Sequence, residues 1–228
     1  LIDTARVKDA QPLARALLAA AEKIGHGPLL AHALYLRARA EVPVDAKLGY
    51  ELAQRAFFTA VASRDDELAA TAAIWLSLFE NQPKPSRELH ERWEKLAGAE
   101  LRRSGPNAML EAERERSIAD MAKESGDNGA ALRHYDRAME LVGGAHGGDR
   151  PEVARLLSRK AFTLYLTDRF DEALATFQRA LAMSERIYGP RDPAVSNVLN
   201  GIASTFSGMS RYAEALATFQ RALRIFDD

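Results

Sequence analysis

The chain has 228 residues, of which 47% are apolar and 28% are charged, so it can bury a core and does not belong to the disordered class. Its 31 basic and 32 acidic residues leave a formal net charge of -1, which favours neither nucleic acid nor an anionic membrane as a partner. The chain has no cysteine and no uninterrupted apolar run of about 18 residues, which excludes disulfides, cysteine metal sites and a membrane-spanning segment. This composition predicts a cytoplasmic protein.

The sequence of residues 1–106 predicts helices that follow a repeat only in outline. Residues 41–80 predict one more helix pair, with Gly49, Ala53 and Ala56 on its inner face. Residues 8–40 predict a lone helix followed by the start of that same pair.

The C-terminal region, residues 107–228, repeats itself with a 42-residue period. RFDEALATFQRAL at 169–181 and RYAEALATFQRAL at 211–223 agree at 11 of their 13 positions. Each copy places a triplet of contact residues at i, i+4 and i+7 on one helix face. The same register extends back into the first region, which makes four triplets: Leu89, Trp93 and Leu96; Ala131, Tyr135 and Ala138; Ala173, Phe177 and Ala180; Ala215, Phe219 and Ala222.

The helix before each triplet repeats with the same period. Its markers stand 13 positions ahead of the first residue of the triplet: Ile118–Ala119, Lys160–Ala161 and Ile202–Ala203. Pro151 and Pro193, each after an Asp or Asp-Arg, predict helix starts. Glycine-rich segments predict the breaks between units: Gly105-Pro106, Gly143–Gly148 and Gly189-Pro190. Each unit is therefore predicted to be a helix hairpin, and stacked hairpins bury the faces that one hairpin leaves exposed.

These residues resemble the tetratricopeptide repeat. The signature is carried by Ile202, Ala203, Phe206, Ala215, Phe219 and Ala222, and the long period with its Gly-Pro linker resembles the kinesin-light-chain type. The resemblance implies an all-α, right-handed α-solenoid of antiparallel helix pairs with about eleven helices, regular over 107–228 and divergent over 1–106. Both chain ends fit a cut array.

A narrower resemblance concerns the parent protein. The Ala/Arg-rich array, the KIGHGPLLAHAL link and the SRDDELAATA turn resemble the C-terminal arrays of large bacterial serine/threonine protein kinases. The chain itself carries no kinase signature. The resemblance implies the regulatory or docking region of a larger bacterial signalling protein.

No motif in the chain predicts chemistry. LHERW begins like a zinc-protease motif but has Glu94 in place of the second histidine, and the five histidines lie in separate units. The GHG at 25–27 is followed by Pro28 and has no preceding strand, so it is not a nucleotide loop. We therefore expect no catalytic residue, no cofactor and no metal, and a module that binds a protein or peptide.

The resemblance also implies where a partner binds, because in tetratricopeptide arrays the first helix of each unit lines the concave face. Amide side chains there can bond a peptide backbone, arginines can fork onto a carboxylate, and aromatic rings supply apolar contact. The alternative is a solvated face that binds nothing specific. Carried onto this chain, the groove residues are Arg116, Asp120, Arg155, Ser158, Phe162, Tyr165, Asn197, Asn200 and Ser204.

The same register upstream is more apolar. It places Thr71, Ile74, Leu78 and Asn81 on the corresponding face. Either the N-terminal helices cover that face, or it is a second docking surface.

The sequence leaves three other functions open. The first is self-association as a homo-oligomer through exposed ends, where Ile225 and Phe226 lie. The second is the sensing of a small ligand for a transcriptional regulator, and the third is an enzyme whose site forms between units.

Overall fold

The computed structural model describes residues 4–78, 86–146 and 149–225, and the regular structure within these ranges is entirely α-helical. The prediction of an all-α fold with about eleven helices is confirmed for the described residues. In chain order the helices are α1 Thr4–Ile24, α2 Gly27–Glu41, α3 Ala46–Ala62, α4 Asp66–Ser77, α5 Arg87–Ser104, α6 Ala108–Glu124, α7 Asn128–His146, α8 Pro151–Leu166, α9 Phe170–Tyr188, α10 Pro193–Gly208 and α11 Tyr212–Leu223.

The packing divides the chain into two compact units, Leu1–Leu110 and Glu111–Asp228. In the first unit each of α1 to α4 packs against the helix that follows it, and in the second unit each of α7 to α10 does the same. Helix α6 is joined to α7 by hydrogen bonds of Asp120 with Tyr135 and of Glu115 with His134. None of the helices in the described ranges has the length and apolar character needed to cross a membrane.

The first unit has an alanine-rich core that includes the buried indole ring of Trp93. Trp93 is 1% exposed, and its indole packs edge-on against Phe57 at a centroid distance of 5.2 Å. The indole N–H donates a hydrogen bond to the Tyr50 hydroxyl at 3.0 Å. Alanines at the helix contacts, among them Ala53 and Ala56 at 0% exposure, bring the helix axes close together.

The apolar face of α4 is covered by other helices of the first unit. Ile74 is 4% exposed and belongs to the core, and Leu78 packs against the same cluster. Next to them, the Trp75 ring lies edge-on to Tyr35 of α2, with centroids 6.4 Å apart. Of the two alternatives for this face, the structure therefore shows the covered one; Asn81 lies outside the described residues.

The second unit repeats its backbone as well as its sequence. The turns that join α6 to α7, α8 to α9 and α10 to α11 each contain one left-handed residue, at the same place in the repeat. These residues are Gly126 with φ +86°, Asp168 with φ +58° and Ser210 with φ +60°. A side chain in this conformation costs about 1 kcal/mol or more, and only the first of the three turns avoids that cost with glycine.

Glycines mark two of the three predicted breaks correctly. Gly105 and Gly189 follow the ends of α5 and α9 with φ of +85° and +88°, so these breaks are confirmed. The break predicted at Gly143–Gly148 is wrong in its first part, because α7 continues to His146. Val142, which is 1% exposed, anchors the last turns, and a helical glycine costs only about 1 kcal/mol relative to alanine.

Both prolines begin helices, as predicted. Asp192 caps α10 by accepting a hydrogen bond from the backbone N–H of Ala194 at 2.8 Å. The residue before Pro151 is Arg150, which makes no side-chain cap. The fixed φ of proline is therefore the shared start signal, and the aspartate cap is not.

Candidate functional site

The predicted binding residues of the second unit come from α6, α8 and α10, the first helices of three successive pairs. Arg159 of α8 reaches α6 and bonds both carboxylate oxygens of Asp120 at 2.9 Å. Helix α8 also contacts α10. In the register of the repeat, Arg155, Ser158 and Phe162 on α8 hold places equivalent to Asn197, Asn200 and Ser204 on α10. Binding by these positions is a prediction, and we refer to the predicted set as the binding face: Arg116, Asp120, Arg155, Ser158, Phe162, Tyr165, Asn197, Asn200 and Ser204.

An aromatic pair lies at the centre of the binding face. The Phe162 ring is 44% exposed and stacks on Tyr165, with centroids 6.0 Å apart and planes 27° apart. Tyr165 is half-buried and also meets Phe170, at 5.9 Å. The ammonium of Lys123 lies 5.9 Å from the Phe162 centroid, within cation–π range. The pair is thus held in one orientation while part of its apolar surface faces solvent.

Two amide side chains on α10 are exposed to solvent. Asn197 and Asn200 are exposed, and neither side chain bonds to another residue in the part of the chain that the structure describes. Each amide offers two donors and an acceptor, the groups that a peptide backbone requires. Ser204, one turn further on, is half-buried.

The polar side chains of α8 differ in how strongly hydrogen bonds within the chain hold them. The Arg155 guanidinium donates to Glu152 at 3.1 Å, and the arginine side chain is 60% exposed. An exposed pair of this kind contributes about 1 kcal/mol or less, so a ligand carboxylate can compete for the guanidinium. The Ser158 hydroxyl, in contrast, donates to the Ala154 carbonyl at 3.0 Å inside the helix. The Arg155 guanidinium is therefore only weakly held, whereas the Ser158 hydroxyl already donates its hydrogen bond within the helix.

The predicted residues of α6 are engaged with each other. Asp120 is only 6% exposed and accepts hydrogen bonds from Arg116 at 3.1 Å, from Arg159 and from the Tyr135 hydroxyl. Arg116 also donates to Glu113 at 2.6 Å. In this structure Asp120 supports the binding face from beneath, since it holds Arg159 in place.

The buried cluster changes the acidity of Tyr135. Burial, followed by the charge of Asp120 and the hydrogen bond to it, raises the pKa of the Tyr135 phenol well above its usual value of 10.0. The phenol therefore stays protonated and donates to Asp120 through the physiological range.

Arg159 lies next to the binding face on α8, although no sequence motif pointed to it. Its side chain is 44% exposed, and it lies four positions after Arg155 on the same helix. The available signal was the repeat itself, because Gly201 holds the equivalent position in the next unit. An arginine at a position where the next repeat has glycine indicates that this position makes different contacts in the two repeats.

The described residues do not form a metal site. No group of three or more histidine, aspartate and glutamate side chains comes together among them in a way that could hold an ion. His134 of α7 pairs with Glu115 of α6 at 2.6 Å, which links two helices of one pair.

A sequence-family model and several solved structures are similar to the chain. The tetratricopeptide repeat model matches residues 152–228. None of the curated proteins matches the sequence. BtubC (BKLC) from P. vanneervenii is 19% identical, with 96% of this chain and 90% of that chain covered and a TM-score of 0.77.

Two further structures are less similar. The apo quorum sensor NprR from B. thuringiensis is 12% identical, with coverage of 97% and 72% and a TM-score of 0.62. Aspartyl phosphate phosphatase F from Bacillus subtilis is 15% identical, with coverage of 97% and 60% and a TM-score of 0.61. At these identities the likeness is one of fold, and it confirms the all-α, tetratricopeptide-like solenoid. The kinase resemblance stays a prediction.

Proposed function

On the premise that residues 152–228 match the tetratricopeptide repeat, we propose that the chain is a non-catalytic module that binds a protein partner. The partner segment lies on the binding face as an extended peptide. Its affinity is spread over α6, α8 and α10 and is not concentrated in one pocket.

One observation carries this proposal. A stacked aromatic pair, with Phe162 44% exposed, lies on a helix next to one that carries two unbonded amides. A solvated helix face ordinarily carries charged side chains, because exposed aromatic surface lowers solubility without stabilising the fold. Fixed aromatic rings and free amides together suit a peptide, which needs apolar contact and backbone hydrogen bonds.

The charges on the binding face favour an acidic peptide. Arg155 is held only by an exposed ion pair, and Lys123 extends beside the Phe162 ring. A partner with one apolar side chain next to an aspartate, a glutamate or a C-terminal carboxylate fits both features. The apolar group contacts Phe162 and Tyr165, and the carboxylate replaces Glu152 at Arg155.

The test begins with a phage-displayed library of short random peptides selected on the immobilised chain. We expect the selected peptides to share an apolar residue next to an acidic one. A fluorescent copy of one of them then reports binding by anisotropy. The double variant Tyr165→Ala with Asn200→Ala is expected to weaken its affinity roughly tenfold or more.

A matched control removes one tyrosine ring and one amide outside the binding face. Tyr188→Ala with Gln178→Ala deletes one tyrosine and one amide from exposed positions of α9. We expect this control to bind like the wild type, and both double variants to keep their helicity. Equal binding by the Tyr165/Asn200 variant and the wild type would overturn the proposal.

The wider setting is also part of the proposal. We place the module in the cytoplasm, as the regulatory or docking region of a larger bacterial signalling protein of serine/threonine-kinase type. The gene on either side of this segment tests the setting: a kinase domain supports it. A DNA-binding helix-turn-helix there supports the alternative, a ligand-sensing or self-associating domain of a transcriptional regulator, for which the fold shared with the quorum sensor NprR is the supporting observation.

A further inference from the structure

An exposed ridge runs along α8 and shares Arg155 and Phe162 with the binding face. Its four side chains stand at i, i+4, i+7 and i+11, which places them on one face of the helix, and each is between 44% and 60% exposed. The two nearer the start of α8 are cationic, and the two nearer its end are apolar. We call this set the α8 ridge: Arg155, Arg159, Phe162 and Leu166.

The two arginines of the α8 ridge lie one helical turn apart, where like charges repel each other. A carboxylate holds each guanidinium. Glu152 accepts a hydrogen bond from Arg155 at 3.1 Å, and Asp120 accepts two from the Nη1 of Arg159 at 2.9 Å. Asp120 is buried, so Arg159 is fixed from beneath while much of its side chain stays exposed. The pair is therefore prepared for an anion that both guanidinium groups can reach.

A third cation borders the ridge. The ammonium of Lys123 on α6 lies 5.9 Å from the centroid of the Phe162 ring. Within the described part of the chain, no carboxylate pairs with it. An anion bound beside the Phe162 ring is thus attracted by Lys123 as well as by the two arginines.

Two arginines and a lysine suit a phosphate better than a carboxylate. A carboxylate has two oxygens, and one guanidinium fork uses both of them. A phosphorylated side chain has three acceptor oxygens and a charge near −2 at pH 7, so it accepts hydrogen bonds from two forks at once. The spacing of the arginines on the α8 ridge therefore favours the doubly charged group.

We propose that the α8 ridge binds a phosphorylated residue of the partner peptide. The phosphate lies across Arg155 and Arg159 and displaces Glu152. The α8 ridge extends about 10 Å beyond Arg159, the length of about three extended residues, so an apolar residue one to three positions along the peptide contacts Phe162 and Leu166. This inference rests on the proposed function and narrows its acidic residue to a phosphorylated one.

Three pools of short fluorescent peptides test the proposal. The central residue is phosphoserine in the first pool, glutamate in the second and serine in the third. Each pool has leucine two positions later and random residues elsewhere. Anisotropy titrations with the full chain measure the affinities. We expect the phosphoserine pool to bind about tenfold more tightly than the glutamate pool, and the serine pool to bind most weakly.

The pH dependence of binding separates the phosphate from a carboxylate. The second pKa of a phosphate is about 6, whereas that of a glutamate is about 4.3. Lowering the pH from about 7.5 to about 5.5 removes most of the second negative charge of phosphoserine and leaves glutamate ionised. We expect the affinity of the phosphoserine pool to fall about threefold or more and that of the glutamate pool to stay constant.

A variant with a matched control locates the phosphate. Arg155→Lys keeps the charge but removes the guanidinium fork, and we expect it to weaken binding of the phosphoserine pool about fivefold. Arg137 on α7 is 59% exposed and pairs with Glu140 at 3.1 Å, much as Arg155 pairs with Glu152. Arg137→Lys lies outside the α8 ridge, and we expect it to bind like the wild type.

The outcomes distinguish this inference from the proposed function. Equal affinities for the phosphoserine and glutamate pools would overturn the inference and leave the proposed function standing. Binding by neither pool would overturn both. An equal loss in Arg155→Lys and Arg137→Lys would also overturn the inference, because the attraction would then be general and not located on the α8 ridge.

Discussion

Residues 169–181 and 211–223 form the same helix in two different surroundings. Eleven of the 13 positions are identical, and both copies place their two alanines against the preceding helix. Phe177 of the first copy is 3% exposed, whereas Phe219 of the second is 42% exposed. The first copy is covered by α10, and no described residue covers the second. Burial in a repeat is therefore a property of the neighbouring helix, not of the repeat's own sequence.

The place where three helices of successive pairs meet also differs from one repeat to the next. Where α6, α7 and α8 meet, the residues in contact are Asp120, Tyr135 and Arg159, and hydrogen bonds join them. Their counterparts in the following repeat are Phe162, Phe177 and Gly201, where the second ring rests on the glycine backbone. The repeat therefore accepts either a hydrogen-bonded tyrosine or a phenylalanine that rests on glycine at this place. A larger residue at position 201 would clash with the Phe177 ring, and loss of Asp120 would leave the Tyr135 hydroxyl without its acceptor.

The largest expected effect compares the two copies of the repeat. Phe177→Ala should lower the free energy of unfolding by about 3–5 kcal/mol, because it removes a fully buried ring. Phe219→Ala should cost about 1 kcal/mol, because much of that ring already faces water. Urea unfolding of both variants measures the difference. Equal losses would contradict the different exposure of the two rings.

The next effect tests the polar cluster. Asp120→Ala should cost about 2–3 kcal/mol, because the buried Tyr135 hydroxyl loses its acceptor and Arg159 and Arg116 lose an ion-pair partner. Ser204→Ala, at the equivalent position two repeats later and half-buried, is the control and should cost about 0.5 kcal/mol or less. Urea unfolding again measures both losses. A loss for Asp120→Ala no greater than for the control would show that the cluster is not coupled.

The same cluster predicts a dependence on alkaline pH. The pKa of Tyr135 is raised in the folded chain, so above a pH of about 10 the unfolded chain releases this proton and the folded chain keeps it. The stabilising contribution is complete below that pH and decreases as the pH rises further. Stability measured at rising pH should therefore fall more steeply for the wild type than for Tyr135→Phe. Parallel curves for the two proteins would contradict this prediction.

The smallest effect concerns the repeated turns. Asp168→Gly and Ser210→Gly each remove a side chain from a left-handed residue, as Gly126 does naturally in the first turn. We expect each variant to gain about 0.5–1 kcal/mol, since the relieved strain exceeds the added freedom of the unfolded chain. Thermal unfolding against wild type measures the gain. A loss of stability in both variants would mean that the side chains stabilise the turn.

Much of the fold could be predicted from particular residues. The triplets around Trp93, Tyr135 and Phe177 placed the second helix of each pair in the correct register, and all three rings are buried. Pro151 and Pro193 marked helix starts, and Gly105 and Gly189 marked helix ends. Such signals are local, since helical period, fixed φ and positive φ act over short stretches of the chain.

The binding face could be predicted less completely. Asn197 and Asn200 are exposed as the register implied. Phe162 and Tyr165 form a stacked pair, which their i, i+3 spacing on one helix permits but does not by itself predict. Asp120 shares their register but is buried. Its environment depends on Arg159, which belongs to the next helix pair and is distant in the chain.

By itself the sequence determined the helix pairs, the 42-residue period and the side of each helix that meets its neighbour. These follow from a helical period and from turn residues that act over short distances. Only the tertiary structure decided that Ile74 is covered, that Asp120 lies beneath Arg159 and that Phe219 is open while Phe177 is closed. The physical reason is that burial depends on side chains brought from other helices, and a repeat does not record what packs on its far side.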